Sequence, residues 1–200
     1  VIDDGRSFEH SAKLQGGAFV EFTMSSGFCL NPFSMIDEEL AATDEDYLLD
    51  CMAMLKAIVN QMSRHIDRLN DTERGLIDGA VNSVWAEKGR HGAIDDVIAA
   101  LDATGNGLAM DLGIAMRPFS SGGTYGRFFQ GEVSFELSAQ LTVFELSDLS
   151  SREELRSVVL TAIMFMSQQM MRKVDRAIPK ALFLDEAWQL LRGGSMADFI

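Results

Sequence analysis

Two short apolar runs, LTVFEL (Leu141–Leu146) and ALFL (Ala181–Leu184), stand at either end of one long helix-like stretch, SREELRSVVLTAIMFMSQQMMRKV. A strand, a helix and a second strand in that order form a crossover, and a crossover joins parallel strands of one sheet. Strands this apolar are expected where helices cover both faces of the sheet. The charges along the long stretch agree: Glu153 and Glu154 lie near its start and Arg172 and Lys173 near its end, as the helix dipole favours, and Ser151 is placed to cap it. The fold class is therefore α/β, a parallel sheet with flanking helices.

Upstream, VID (Val1–Asp3) and AFVEFT (Ala18–Thr23) read as further short strands, separated by a break at Gly16-Gly17. Asn31-Pro32 favours a turn that closes this region. From Thr43 the period changes. TDED offers a helix cap with acidic residues in the first turn. Leu48, Met52, Leu55, Val59, Met62 and Ile66 then recur at spacings of four and three. A second helix is expected from Asp71-Thr72, with Leu76, Ile77, Ala80, Val81, Val84 and Trp85 on its apolar face; AIDDVIAAL and LAMDLGIAMRPF read as a third and a fourth. Four helices without a strand between them indicate an all-helical insert. The expected organisation is a core over residues 1–39, the helical insert over 40–120, and the rest of the core over 121–200, re-entered through the glycine-rich SSGGTYGRFF.

Two hundred residues suffice for a core plus such an insert. No apolar run approaches the roughly 18 residues of a membrane-spanning helix. The net charge of −13 would repel a phosphate backbone, so direct nucleic-acid binding by this segment is not expected. Cys29 and Cys51, without CxxC spacing or a nearby histidine pair, read as buried free thiols suited to a reducing compartment. The sequence does not begin with Met, and VIDDG reads as a strand already in progress, so the chain is read as an internal piece of a longer protein.

The chemistry is concentrated where ALFL runs into Asp185 and Glu186. At the C-terminal edge of a parallel sheet, side chains leave the core and face a crevice where ligands bind. A carboxylate held there by its strand can hold Mg²⁺ through water, which is one reading of Asp185. Glu186, one residue on, could accept a proton from the water that attacks a γ-phosphate. The other reading is a solvated pair that caps the next helix.

At this point the residues resemble a known family. ALFLDEAWQLL is similar to the Walker B segment of the VirB4/TraC ATPases of type IV secretion and conjugation, in which DEAW is a characteristic form. VIDDGRSF resembles the strand after their phosphate-loop helix, and LQGGAFVEFTMSSGFCLNPF their next segment. TYGRFF followed by LTVFELSDL resembles their return from a helical insert into the core. The resemblance covers most of the chain and implies a partial RecA-like P-loop NTPase core. It implies ATP as substrate, Mg²⁺ held by Asp185 and a catalytic Glu186. It also implies self-assembly, as a homo-hexamer, and contact with inner-membrane secretion components from the cytoplasmic side. One departure is plain: no GxxxxGK[ST] loop occurs in these residues, and the family would place it upstream of Val1. The segment alone is therefore expected neither to bind ATP tightly nor to hydrolyse it.

Four further residues bear on the same crevice. Asp3 and Asp4 end the first strand, Asp4 as a candidate nucleotide contact or, like its neighbour, as a turn carboxylate before Gly5. Glu145, ending LTVFEL, is expected beside Asp185 on a neighbouring strand, tuning it or contacting nucleotide-bound water, unless it is a plain edge acid. Arg127 in YGRFF is a candidate catalytic arginine acting in a neighbouring subunit, or a structural one stacked among Tyr125, Phe128 and Phe129. His10, His65 and His91 lack ligand spacing, and the Met-rich faces read as core filler. Rival functions are a DNA-translocating ATPase of the coupling-protein, FtsK or HerA kind, a non-catalytic scaffold with the same fold, and an unrelated Mg²⁺-dependent phosphohydrolase.

Overall fold

The crossover is present in the structure, a computed structural model that describes residues 1–64, 69–134, 140–173 and 177–185. Strand β1 (Ile2–Asp3), helix α1 (Glu9–Leu14) and strand β2 (Ala18–Glu21) come first. After the helical region, β3 (Thr142–Glu145) leads through a short turn into α7 (Glu153–Lys173), and the chain returns to bridge Leu184 to Ile2 in parallel. The sheet order is β1-β3-β2, all parallel, with the Leu184 bridge on the far side of β1. β1 has only two residues, yet it is hydrogen-bonded along both edges. Ile2 N–H donates to Phe183 O at 2.8 Å and Asp185 N–H to Ile2 O at 2.9 Å. On the other side Phe144 N–H donates to Val1 O at 2.8 Å and Leu146 N–H to Asp3 O at 3.1 Å.

The break before β2 has a steric cause. Gly17 N–H bonds Ala12 O at the end of α1, and a Cβ on Gly17 would lie 2.6 Å from the Leu141 carbonyl oxygen at the entry to β3. α1 itself was not expected, because six residues with one buried side chain, Ala12, carry no apolar period.

Between β2 and β3 the described chain is helical: α2 (Glu38–Thr43), α3 (Glu45–Ser63), α4 (Asp71–Lys88), α5 (Ile94–Ala103) and α6 (Gly107–Met116). The starts of α2, α3, α4 and α6 follow side-chain caps. Asp44 accepts Tyr47 N–H at 3.0 Å, and Asn70 with Glu73 closes a reciprocal capping box at α4. The faces are those the spacing predicts: Met52, Leu55, Val59 and Met62 of α3 and Ile77, Val81 and Val84 of α4 are buried, together with Val97, Leu101, Leu112 and Met116. Ile66 lies outside the described residues. No helix among the described residues is long and apolar enough to cross a membrane.

The helical part is joined to the sheet part by one core and by buried polar contacts between α3 and α7. Tyr47 O–H donates to Gln169 Oε1 at 2.7 Å and accepts Asp37 N–H at 3.0 Å, while the Thr161 hydroxyl donates to Gln61 Oε1 at 2.9 Å. The Arg172 guanidinium lies 5.4 Å from the Tyr47 ring centre and pairs with Asp50. A third tie is Asn31, whose buried amide donates to the carbonyls of Gly92 and Gly131 at 2.9 and 3.0 Å. Both cysteines are buried and free. Beyond α6, Phe119 packs on Tyr125 and Phe129 at ring separations of 5.3 and 5.6 Å. The turn that brings these rings together needs glycine, since a Cβ on Gly126 would run into the Ser120 carbonyl. Gly126→Ala in the full-length protein is expected to destabilise by about 3 kcal/mol; an unchanged urea midpoint would contradict this packing.

Candidate functional site

In-register pairing aligns Asp3 with Glu145 and Glu145 with Glu21 across the C-terminal edge of the sheet. The Ile2–Leu184 bridge extends this row by bringing Asp185 alongside Asp3. Paired residues of parallel strands share a face, so carboxylates accumulate on one side of that edge. The order across the sheet corrects one expectation. Glu145 does not neighbour Asp185, because β1 lies between β3 and the Leu184 segment and places Asp3 there instead.

Each carboxylate is handled differently. Glu145 is fully buried and accepts backbone N–H groups from Gly5 at 3.2 Å, Arg6 at 2.7 Å and Ser147 at 2.8 Å. Burial pushes its pKa up, but the hydrogen bonds from Ser147, Gly5 and Arg6 outweigh burial and hold it below the ordinary glutamate value. These amides converge because the chain leaves β1 through two left-handed residues, Gly5 at φ 125° and Arg6 at φ 60°. Glycine adopts such a conformation at little cost, whereas arginine does not. Arg6 holds it with its N–H fixed on Glu145 and its guanidinium on Glu21 and Glu9.

Asp4 pairs with Arg156 in the first turns of α7. Asp3 is 1% exposed; its Oδ2 accepts the Phe8 N–H at 2.9 Å, and its Oδ1 is buried without a hydrogen-bond partner. Burial raises its pKa, and the charges of Glu145 and Asp185 raise it further, against the Phe8 amide. Asp185 is half-buried, and Glu186 lies outside the described residues. Arg127 is exposed, and its guanidinium donates to the Met24 carbonyl, three residues beyond Glu21 at the same end of the sheet. His10 and His91 are exposed.

The structure thus brings Asp185, Asp3, Asp4 and Glu145 to one edge, with Arg127 at the rim. The sequence reading passed over Arg6 and Glu21. The signal for Arg6 was the glycine before it, which marks a turn folding back over the strand end. Among the described residues no three His, Cys, Asp or Glu side chains group closely enough to enclose a metal ion. Mg²⁺ does not need such a cage: it keeps most of its water and takes one or two carboxylates plus substrate phosphates. Asp185 beside a buried, unfilled oxygen of Asp3 suits that mode.

A crossover parallel sheet with acids at its C-terminal edge defines the general class, an α/β core of the kind that takes ligands at that edge. Residues 109–200 match the family model of the TraG P-loop domain. Among solved structures the chain is similar to VirB4 of Thermoanaerobacter pseudethanolicus, with a TM-score of 0.75 at 18% identity over 94% of this chain and 74% of that one. The chain therefore has the VirB4 fold. No curated protein matches it.

Glu145 and Asp3 have opposite linkage to pH. A depressed pKa stabilises above the unfolded value, near 4.5, and that stability is lost as pH falls through the folded value. Glu145→Gln in the full-length protein is expected to cost about 2 kcal/mol at pH 7, a deficit that closes toward acid pH. A raised pKa makes the ionised Asp3 destabilising at neutral pH, so Asp3→Asn is expected to raise the melting temperature at pH 7 and lose that advantage on acidification. Melting curves of both variants from pH 3 to 8 check the two signs together.

Proposed function

We propose that this chain is part of a type IV secretion or conjugation motor ATPase, which hydrolyses ATP with Mg²⁺ to power pilus or channel assembly and substrate transfer. The observation that carries the proposal is the position of Asp185, leaving the C-terminal edge of a parallel sheet beside Asp3, in a chain that has the VirB4 fold over 94% of its length. The TraG P-loop match over residues 109–200, which include the DEAW segment, supports it.

In this reading Asp185 holds the hydrated Mg²⁺ and Glu186 takes a proton from the attacking water. Mg²⁺ held there would supply positive charge against the substrate phosphates. Asp4 and Glu145 act on the nucleotide side through what they hold, Asp4 through Arg156 and Glu145 through the Gly5–Arg6 turn. Arg127, exposed at the rim, is the arginine offered to the nucleotide of the next subunit in a homo-hexamer. The core is divided by a helical insert over residues 40–120. The assembled motor docks on inner-membrane secretion components from the cytoplasm.

The test is Mg²⁺-dependent ATP hydrolysis by the full-length protein with Glu186→Gln. Turnover is expected to fall by roughly 10²- to 10⁴-fold with ATP binding retained. Normal turnover in this variant would reduce the acidic pair to a helix cap.

A further inference from the structure

We propose that Asp3 is a second metal-side carboxylate: its Oδ1 accepts a hydrogen bond from a water bound to the divalent cation that Asp185 holds, and so positions that cation. The inference rests on the motor reading and extends it to a residue that reading does not use.

The neighbouring acids of the edge are already engaged. Glu145 has three backbone amides, Glu21 has Arg6, and Asp4 has Arg156. Asp3 is 99% removed from solvent, and one of its two oxygens accepts nothing. Buried polar groups are almost always hydrogen-bonded, so an orphan carboxylate oxygen beside a candidate ligand crevice implies a donor that arrives with the ligand. The bond to Phe8 does not account for the charge, because an amide oxygen would accept that N–H equally well. A carboxylate is required only where its partner is positive or strongly polarised.

The position also fits. β1 is hydrogen-bonded on both edges, and the Phe8 amide fixes the rotamer, so Asp3 cannot swing away. Its register places it next to Asp185 on the shared edge. It contributes through water rather than by direct ligation, since no three such side chains are grouped to enclose an ion among the described residues. Outer-shell acceptors of this type orient the bound water and tune affinity.

The experiment uses the full-length protein with ADP and Mn²⁺ in place of Mg²⁺, reading free Mn²⁺ by electron paramagnetic resonance. Wild type, Asp3→Asn and Asp185→Asn are compared, and ADP affinity is measured separately in chelator. Asp3→Asn is expected to weaken Mn²⁺ about tenfold while metal-free ADP affinity stays unchanged. Wild-type Mn²⁺ affinity in Asp3→Asn, with Asp185→Asn impaired, overturns this inference and leaves the motor reading standing. Wild-type affinity in Asp185→Asn overturns the motor reading, and this inference with it. A second variant, Asp3→Glu, keeps the charge but displaces it by one methylene. A loss of Mn²⁺ affinity in Asp3→Glu supports the proposal, and unchanged affinity overturns it.

Discussion

The Glu145 carboxylate, buried under three backbone amides, is the contact on which the candidate site depends. Two of those amides belong to Gly5 and Arg6, so the same bonds that satisfy the charge fold the chain back over the end of β1. With that turn in place, Phe8 presents its N–H to Asp3 and Arg6 reaches Glu21. A single buried anion organises four positions because it lies on the central strand of the sheet, in register with both neighbours. Backbone amides suit this role better than a cationic side chain would, since they neutralise the charge without adding a flexible group to the acidic edge.

The helices between β2 and β3 are attached to the same machinery at a different level. Tyr47 and Gln61 on α3 meet Gln169 and Thr161 on α7 through buried hydrogen bonds. α7 also carries Arg156, which pairs with Asp4, so one helix touches the acidic edge near its start and the helical part along the rest of its length. Satisfied polar contacts inside an apolar interface fix its alignment more narrowly than apolar packing alone.

Much of the fold was legible in the sequence, and the reasons are physical. β1, β2 and β3 are apolar runs bounded by glycine or acids, and α3 to α7 bury faces that repeat at helical spacing over two turns or more. α1 and α2 were not legible: each has six residues, α2 buries none of them, and α2 is set by the Asp37 cap on Leu40 N–H. In the site, the end of each strand could be read, but the order of strands could not. Neighbours in a parallel sheet are far apart in the chain, so nothing local says that β1 separates Glu145 from Asp185. The same applies to Asp3 and Asp4, adjacent and chemically alike, of which only the fold decides that one is sealed in and the other meets Arg156. The Arg127 guanidinium donates to the Met24 carbonyl, a partner distant in sequence that the aromatic YGRFF stretch did not announce.

The distance in sequence between β1 and its partner strand has a consequence for biosynthesis. The first partner of β1, Phe144, emerges from the ribosome about 140 residues later, on the order of ten seconds at ordinary elongation rates. Throughout that interval Ile2 and Asp3 wait for the partners they have in this structure, whereas α3 to α6 can assemble from contacts close in sequence. Completion of the sheet is therefore a late event on the nascent chain, and the acidic edge exists only after α7 and the Leu184 segment have followed β3 out of the exit tunnel. A polypeptide interrupted before that point would carry well-formed helices and no trace of the acidic edge.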